Sequence, residues 1–176
     1  MKILISGGSG FIGSAIVRLA IKNGHVVINI DNLSYSSSVE STLSVSKNKN
    51  YFFEKIDIRK KNALNTIFFK YEPDMVIHCA AESHVDRSIQ EPSSFIETNI
   101  IGTFNMLEAA LKLWNFKGKP NLFRFHHIST DEVYGSLPAN PKIKFTEETK
   151  YDPRSPYSAS KASSDHLVNA WNATYD

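Results

Sequence analysis

The sequence predicts an α/β fold with one doubly wound parallel sheet and helices on both of its faces. Short apolar runs alternate with segments of helical periodicity in the order β-α-β-β-α-β-α-β-α. The unusual polar residues fall just after the predicted strands, where a fold of this class binds its ligand. These two observations place any functional site at the carboxyl edge of the sheet.

Five apolar runs predict the strands, and glycine, proline or acidic residues flank them. The predicted strands cover residues 2–6, 25–30, 51–56, 75–79 and 122–129. The predicted helices cover residues 11–23, 60–71, 92–113 and 156–175. Asn23-Gly24 is a typical helix stop, whereas the serine-rich stretch 34–46 predicts a loop with at most a short helix.

Composition is typical of one globular domain. The chain has 176 residues, of which 41% are hydrophobic and 22% charged. The formal charge of +2 is too small for a nucleic-acid-binding surface. Apolar runs are too short to span a bilayer, and no signal-peptide pattern is present. We therefore expect a cytoplasmic protein.

Metal and disulfide chemistry are not expected. Cys79 is the single cysteine, which excludes an intramolecular disulfide and a cysteine-based zinc site. We expect it to be a small core residue at the end of a buried strand. His126 and His127 are consecutive in a predicted strand and point to opposite faces, so they form a poor metal pair.

Three glycines, Gly7, Gly10 and Gly13, lie between the first strand and the first helix. Such a turn brings a diphosphate close to the backbone amides at a helix N-terminus. Asp31 ends the next strand, where a carboxylate accepts the ribose hydroxyls of NAD and repels the 2′-phosphate of NADP. Asp57 ends the third strand, within reach of an adenine amine. The pattern predicts a Rossmann-type NAD site; the alternatives are a flexible Gly-Ser turn and a turn aspartate.

Tyr157 and Lys161 are four residues apart and share one face of the last predicted helix. A nearby ammonium lowers the cost of ionising the phenol, so Tyr157 can act as a base. Lys161 can also bind a ribose hydroxyl. The alternative is a surface pair one helical turn apart.

Thr130, Asp131 and Glu132 follow the fifth predicted strand. Thr130 can hydrogen-bond the substrate hydroxyl that Tyr157 deprotonates. Two adjacent acids at this edge are costly unless they are exposed or functional. The alternative is a solvent-facing helix cap.

Joint motifs along the whole chain carry a family resemblance. They are GGSGFIG at 7–13, DNLSY at 31–35, HCAAESHVDRSI at 78–89, FIETNIIGTFNMLEAA at 95–110, FRFHHISTDEVYG at 123–135 and SPYSASKASSDHLV at 155–168. The chain resembles the extended short-chain dehydrogenase/reductases, and most closely the dTDP-glucose 4,6-dehydratases. Residues 83–88 favour this family over the GDP-mannose dehydratases, whereas UDP-glucose dehydratases remain an alternative.

The resemblance implies an NAD-dependent lyase that converts dTDP-α-D-glucose into dTDP-4-dehydro-6-deoxy-α-D-glucose and water, as in deoxysugar and dTDP-rhamnose biosynthesis. It implies oxidation at C4, elimination across C5 and C6, and hydride return to C6. Tyr157 would take the C4 hydroxyl proton with help from Thr130 and Lys161. Glu132 would take the C5 proton, and Asp131 would protonate the leaving C6 hydroxyl. Adjacent acids push their pKa values apart, which permits this division.

The resemblance also implies a set of binding residues. Those expected to contact NAD are Gly7, Gly10, Phe11, Ile12, Gly13, Asp31, Asn32, Ser34, Asp57, Ile58, Ala80, Ala81, Ser83, Thr98, Tyr157 and Lys161. Ser83 and Thr130 are the expected substrate contacts. His84, Arg87 and Asn99 lie in matched motifs and are expected to be structural first.

Members of the resembled family are longer and carry a C-terminal substrate domain. We therefore expect residues 1–176 to form one NAD-binding Rossmann domain, the N-terminal portion of such an enzyme, with weak or no turnover alone. The family also implies a homodimer through helices 93–113 and 156–175, whose apolar faces would otherwise serve the missing half. Rival functions are another nucleotide-sugar enzyme, such as a UDP-glucose dehydratase, decarboxylase or epimerase, and a non-catalytic NAD-binding module.

Overall fold

The computed structural model describes residues 1–139 and 142–175. The strands are β1 (Lys2–Ser6), β2 (Val26–Asp31), β3 (Tyr51–Lys55), β4 (Met75–His78) and β5 (Arg124–His127). The α-helices are α1 (Phe11–Lys22), α2 (Lys61–Tyr71), α3 (Val85–Gln90), α4 (Pro92–Phe95), α5 (Thr103–Phe116) and α6 (Pro156–Tyr175). Two 3₁₀ helices cover Val39–Val45 and Asp131–Tyr134, and a π-helical segment, Ile96–Gly102, joins α4 to α5.

The five strands form one parallel sheet in the order β3-β2-β1-β4-β5. The first strand is central, β2 and β3 lie on one side of it, and β4 and β5 lie on the other. The strand order therefore reverses between β1 and β4, and such a switch point opens a crevice at the carboxyl ends of these two strands. The predicted α/β class is confirmed.

Both faces of the sheet are buried, as the continuous apolar strands require. Ile3 and Ile5 pack with Val17 of α1 on one face. Leu4 points to the other face and packs with Phe68 of α2 and Leu113 of α5. The two-residue period of β1 thus fills both cores, and each fully buried aliphatic side chain contributes about 1.5–3 kcal/mol.

The structure differs from the sequence prediction at two places. The fifth strand covers only Arg124–His127, and Leu122 before it is 83% exposed. The predicted long helix contains a π-helical segment, and the separate short helix α3 precedes it. A Cβ on Gly102, which ends that segment, would lie 2.5 Å from Ile58 Cδ1. The Ile58 side chain therefore packs directly against the backbone of Gly102, at the end of the segment that carries Thr98 and Asn99.

None of the helices in ranges 1–139 and 142–175 combines the length and hydropathy of a membrane span.

Candidate active site

A cleft opens at the carboxyl edge of the sheet, where β1 and β4 diverge. It consists of two cavities that share Gly7, Gly10, Ser36, Cys79 and Ala81 in their walls. One cavity extends toward the end of β2, and the other toward the start of α6. The cleft is therefore elongated along the edge of the sheet.

The glycine turn brings three backbone segments into contact. Gly7 has φ +69°, and a Cβ there would lie 2.6 Å from the amide nitrogen of Ala80. A Cβ on Gly13 would collide with the carbonyl of Gly7. No larger residue fits either position without moving the backbone, so the turn, α1 and the segment after β4 can pack this closely only with glycine.

The N-terminus of α1 opens into the cleft. Gly10 precedes the helix and supplies no side chain to cap its amides. Phe11 is 94% exposed and lines the cleft together with Ile12. The first-turn amides and the positive end of the helix dipole are thus available to an anion.

Asp31 ends β2 as a buried carboxylate in the wall of the cleft. Its Oδ2 accepts from the amide of Ser9 at 3.0 Å, and its Oδ1 from the amide of Leu33 at 2.8 Å. Ser37 Oγ donates to the same Oδ1 at 2.8 Å. Three donors hold the carboxylate in place, so its remaining lone pairs are pre-oriented.

Most of the predicted cofactor residues meet in this cleft. The wall of one cavity or the other includes Gly7, Gly10, Phe11, Ile12, Gly13, Asp31, Asn32, Ser34, Ile58, Ala80, Ala81, Ser83, Thr98, Tyr157 and Lys161. Asp57 lies outside both walls. Its carboxylate is 2.7 Å from Arg59 Nη2. Although burial opposes it, the Arg59 guanidinium and amide lower the pKa of Asp57.

Tyr157 and Lys161 lie on the buried face of α6, as their spacing predicts. Burial raises the pKa of Tyr157, and Glu132 and Asp131 add to the increase. A hydrogen bond from Thr130 acts in the opposite direction. The expected effect of the lysine on the phenol stays a prediction. The ammonium of Lys161 instead donates to the Ile128 carbonyl at 2.6 Å, and burial lowers its pKa to about 8.

Thr130, Asp131 and Glu132 form the start of the 3₁₀ helix after β5. Thr130 Oγ1 accepts from the amide of Glu132 at 3.3 Å, so the residue does cap this helix. Both acids are exposed. The cap and the electrostatic effect on Tyr157 coexist, but neither cavity wall includes Thr130, Asp131 or Glu132.

Cys79 differs from the expected core residue. It packs against the core beside α1 but also lines both cavities. Burial raises the pKa of its thiol to about 11, so it is neutral at physiological pH.

Two side chains hold this site together: Asn99, which the resemblance predicts to be structural, and Asp165, which sequence reasoning missed. Asn99 accepts from the amide of Glu82 at 2.8 Å and donates to its carbonyl at 2.9 Å. It also donates to Ser160 Oγ at 2.8 Å, which joins the segment after β4 to α6. Asp165 receives Ser129 Oγ at 2.6 Å and Tyr151 Oη at 3.0 Å. The sequence signal that could have identified Asp165 is its position four residues after Lys161, one helical turn along the same helix face.

These features fit a dinucleotide. The glycine turn lets phosphate oxygens approach uncapped amides, and Asp31 offers oriented oxygens beside that turn, where its Oδ2 accepts from the Ser9 amide. Lys161 and Tyr157 stand at the other end of the cleft.

Comparison with known proteins agrees with this geometry. A model described as GDP-mannose 4,6 dehydratase matches residues 4–176. The dTDP-glucose 4,6-dehydratase of Salmonella typhimurium is 57% identical over 99% of the chain. The chain covers 51% of that enzyme, and so spans about half the length of the curated relatives it matches.

Solved structures show the same architecture. DesIV, a dTDP-glucose 4,6-dehydratase from Streptomyces venezuelae with NAD and TYD bound, aligns with a TM-score of 0.88 at 38% identity, over 99% of this chain and 52% of its own. The UDP-glucose 4-epimerase of Thermus thermophilus, in complex with NAD, aligns with a TM-score of 0.86 at 30% identity, over 99% of this chain and 52% of its own. With the family model matched from the first strand through the last helix, the chain belongs to the GDP-mannose 4,6-dehydratase family.

Proposed function

We propose that residues 1–176 bind NAD and supply the acid–base groups of a dTDP-glucose 4,6-dehydratase, a hydro-lyase. The observation that carries the proposal is the Asp131-Glu132 pair on the 3₁₀ helix after β5, which contacts the helix α6 that bears Tyr157; both acids raise the pKa of Tyr157. C4 oxidation alone requires a base such as Tyr157, whereas loss of water across C5 and C6 requires a second base and an acid. The names of the relatives support the same reaction.

The residues divide the proton transfers among them. Bound NAD would supply the hydride acceptor for C4 oxidation and, once reduced, the hydride donor for C6. Tyr157 takes the proton of the C4 hydroxyl, and Thr130 orients that hydroxyl. Glu132 removes the C5 proton, which the new C4 ketone acidifies, and returns a proton to C5 when hydride reaches C6. Asp131 protonates the C6 oxygen that leaves as water.

The cleft positions the cofactor for these steps. The amides of Phe11 and Ile12 meet the diphosphate, and Asp31 binds the adenosine ribose. Lys161 has three N–H donors and gives one to Ile128, so others remain for the second ribose. Asp57 contacts the adenine only after its pairing with Arg59 loosens. Ser83 contacts the sugar from the opposite wall.

We also propose the organisation of the protein. Residues 1–176 act as a single dinucleotide-binding domain in a cytoplasmic homodimer. Ile96 and Ile101, 45% and 48% exposed on the π-helical segment, support pairing through this helix and α6. We expect this chain alone to turn over substrate weakly or not at all, because it spans only about half the length of the dehydratases that it matches.

The decisive experiment joins residues 1–176 to the C-terminal half of the Salmonella relative and supplies dTDP-glucose with NAD. Alkali-induced absorbance of the 4-keto product should appear, and Glu132→Gln should remove it. Glu147→Gln, at an exposed glutamate, is the matched control and should retain activity. A hybrid that holds NAD but forms no product would refute the dehydratase proposal. Product from UDP-glucose instead would identify the alternative substrate.

A further inference from the structure

A buried polar cluster lies behind the cleft, between β5 and α6. Its centre is Asp165, which is 7% exposed. One carboxylate oxygen, Oδ2, accepts from Ser129 at 2.6 Å and from Tyr151 at 3.0 Å. Ser129 directly precedes Thr130, so this oxygen ties the catalytic turn to α6.

The second oxygen of Asp165 faces a histidine. Asp165 Oδ1 is 3.2 Å from His127 Nε2, and the same nitrogen is 3.4 Å from Lys161 Nζ. The side chains of His127 and Asp165 are 6% and 8% exposed. One imidazole therefore lies between a buried carboxylate and the ammonium at the cleft.

A buried ammonium needs a negative charge nearby, because burial penalises its charged form. Burial lowers the pKa of Lys161 to about 8, and the charge of Asp165 is the largest influence that raises this pKa. His127 from β5, His78 and Cys79 from β4 and its end, and Tyr157 from α6 also face it. Burial lowers the pKa of both histidines and raises that of both the thiol and the phenol, so these neighbours are neutral near pH 7. The carboxylate of Asp165 is the charge that remains.

We propose that Asp165 is a positioning residue whose buried negative charge, across the ring nitrogen of His127, keeps Lys161 in its ammonium form at the cleft. The inference rests on the proposed NAD site, where Lys161 holds a ribose hydroxyl. It adds a buried counter-charge on α6 that supports Lys161 without itself contacting the cofactor.

Asp165→Asn tests the proposal, since it keeps the shape and an acceptor for Ser129 and Tyr151 but removes the charge. An opposite charge at this range shifts a pKa by about one unit, so the pKa of Lys161 should fall from about 8 to about 7. If NAD requires the ammonium form, the dissociation constant should rise about fivefold at pH 8 and hardly at all at pH 6. A purely structural role would weaken binding equally at both pH values.

The pKa of Lys161 is also read directly, by NMR titration of ¹³C-lysine in the full chain without NAD. Asp165→Asn should lower it and Asp165→Glu should restore it. Asp152→Asn, at an aspartate paired with Arg154 on the surface, should leave it unchanged. Unaltered titration in Asp165→Asn overturns the inference, whereas a wild-type chain that titrates as expected yet fails to bind NAD overturns only the proposed function.

If Asp165→Asn does not fold, the reciprocal variant decides. Lys161→Met removes the cation, so the pKa of Asp165 should rise when followed by its ¹³Cγ shift. An unchanged Asp165 titration would show that the charges of Asp165 and Lys161 are not coupled and would refute the inference.

Discussion

Replacing Asn99 by alanine should destabilise the fold more than any exposed substitution. The side chain is 1% exposed and makes three hydrogen bonds, two to the backbone of Glu82 and one to Ser160. Alanine leaves the Glu82 amide and carbonyl without these partners. A buried polar group without its partner costs about 1–3 kcal/mol, so the variant should lose ~2–4 kcal/mol.

The free energy of unfolding is measured by urea titration with far-UV circular dichroism. Two-state stability of a domain is about 5–15 kcal/mol, so the midpoint should fall clearly while the slope stays constant. Asn115→Ala, at an exposed position of α5, is the control and should change stability by no more than ~0.5 kcal/mol. A loss of less than ~0.5 kcal/mol for Asn99→Ala would refute the claim that this amide joins the two walls of the cleft.

Three further predictions concern the cleft. Gly13→Ala should abolish NAD binding in calorimetry, because its Cβ collides with the Gly7 carbonyl, whereas Asn115→Ala, at an exposed position of α5, should bind normally; equal affinities would contradict the glycine turn. Asp31→Ser should reduce the preference for NAD over NADP by about tenfold, or ~1.4 kcal/mol, and an unchanged ratio of dissociation constants would remove Asp31 from the ribose site. Lys161 has a pKa of about 8, below the ordinary 10.5, so the unfolded chain keeps this proton to higher pH than the folded chain does. As the pH rises between these two values, the free energy of unfolding of the wild type should therefore increase by up to about 3 kcal/mol relative to that of Lys161→Met. Parallel stability curves in urea for the two proteins would contradict that shift.

The sheet could be predicted because each strand is a local apolar run. Lys2–Ser6 and Val26–Asp31 are buried on both faces, so their hydrophobicity is continuous and needs no tertiary information. The glycine turn was equally readable, since Gly7 and Gly13 are required by backbone contacts that recur wherever a strand, a turn and a helix pack this closely.

The rest depends on contacts between distant parts of the chain. Periodicity predicts one long helix through Ile96–Gly102, whereas the amide of Asn99 and the packing of Gly102 on Ile58 accompany a π-helical segment there. The direction of the Lys161 ammonium is likewise set by the Ile128 carbonyl. The i, i+4 spacing to Tyr157 indicates a shared helix face but not where the flexible lysine points.

An NMR titration of NAD into the ¹⁵N-labelled chain tests the central claim most directly. We expect saturable one-to-one binding, with the largest amide shifts in the glycine turn, at Asp31 and its neighbours, and at the start of α6 around Tyr157 and Lys161. Absence of saturable shifts, or shifts confined to the groove between α5 and α6, would contradict a dinucleotide site at the carboxyl edge of the sheet.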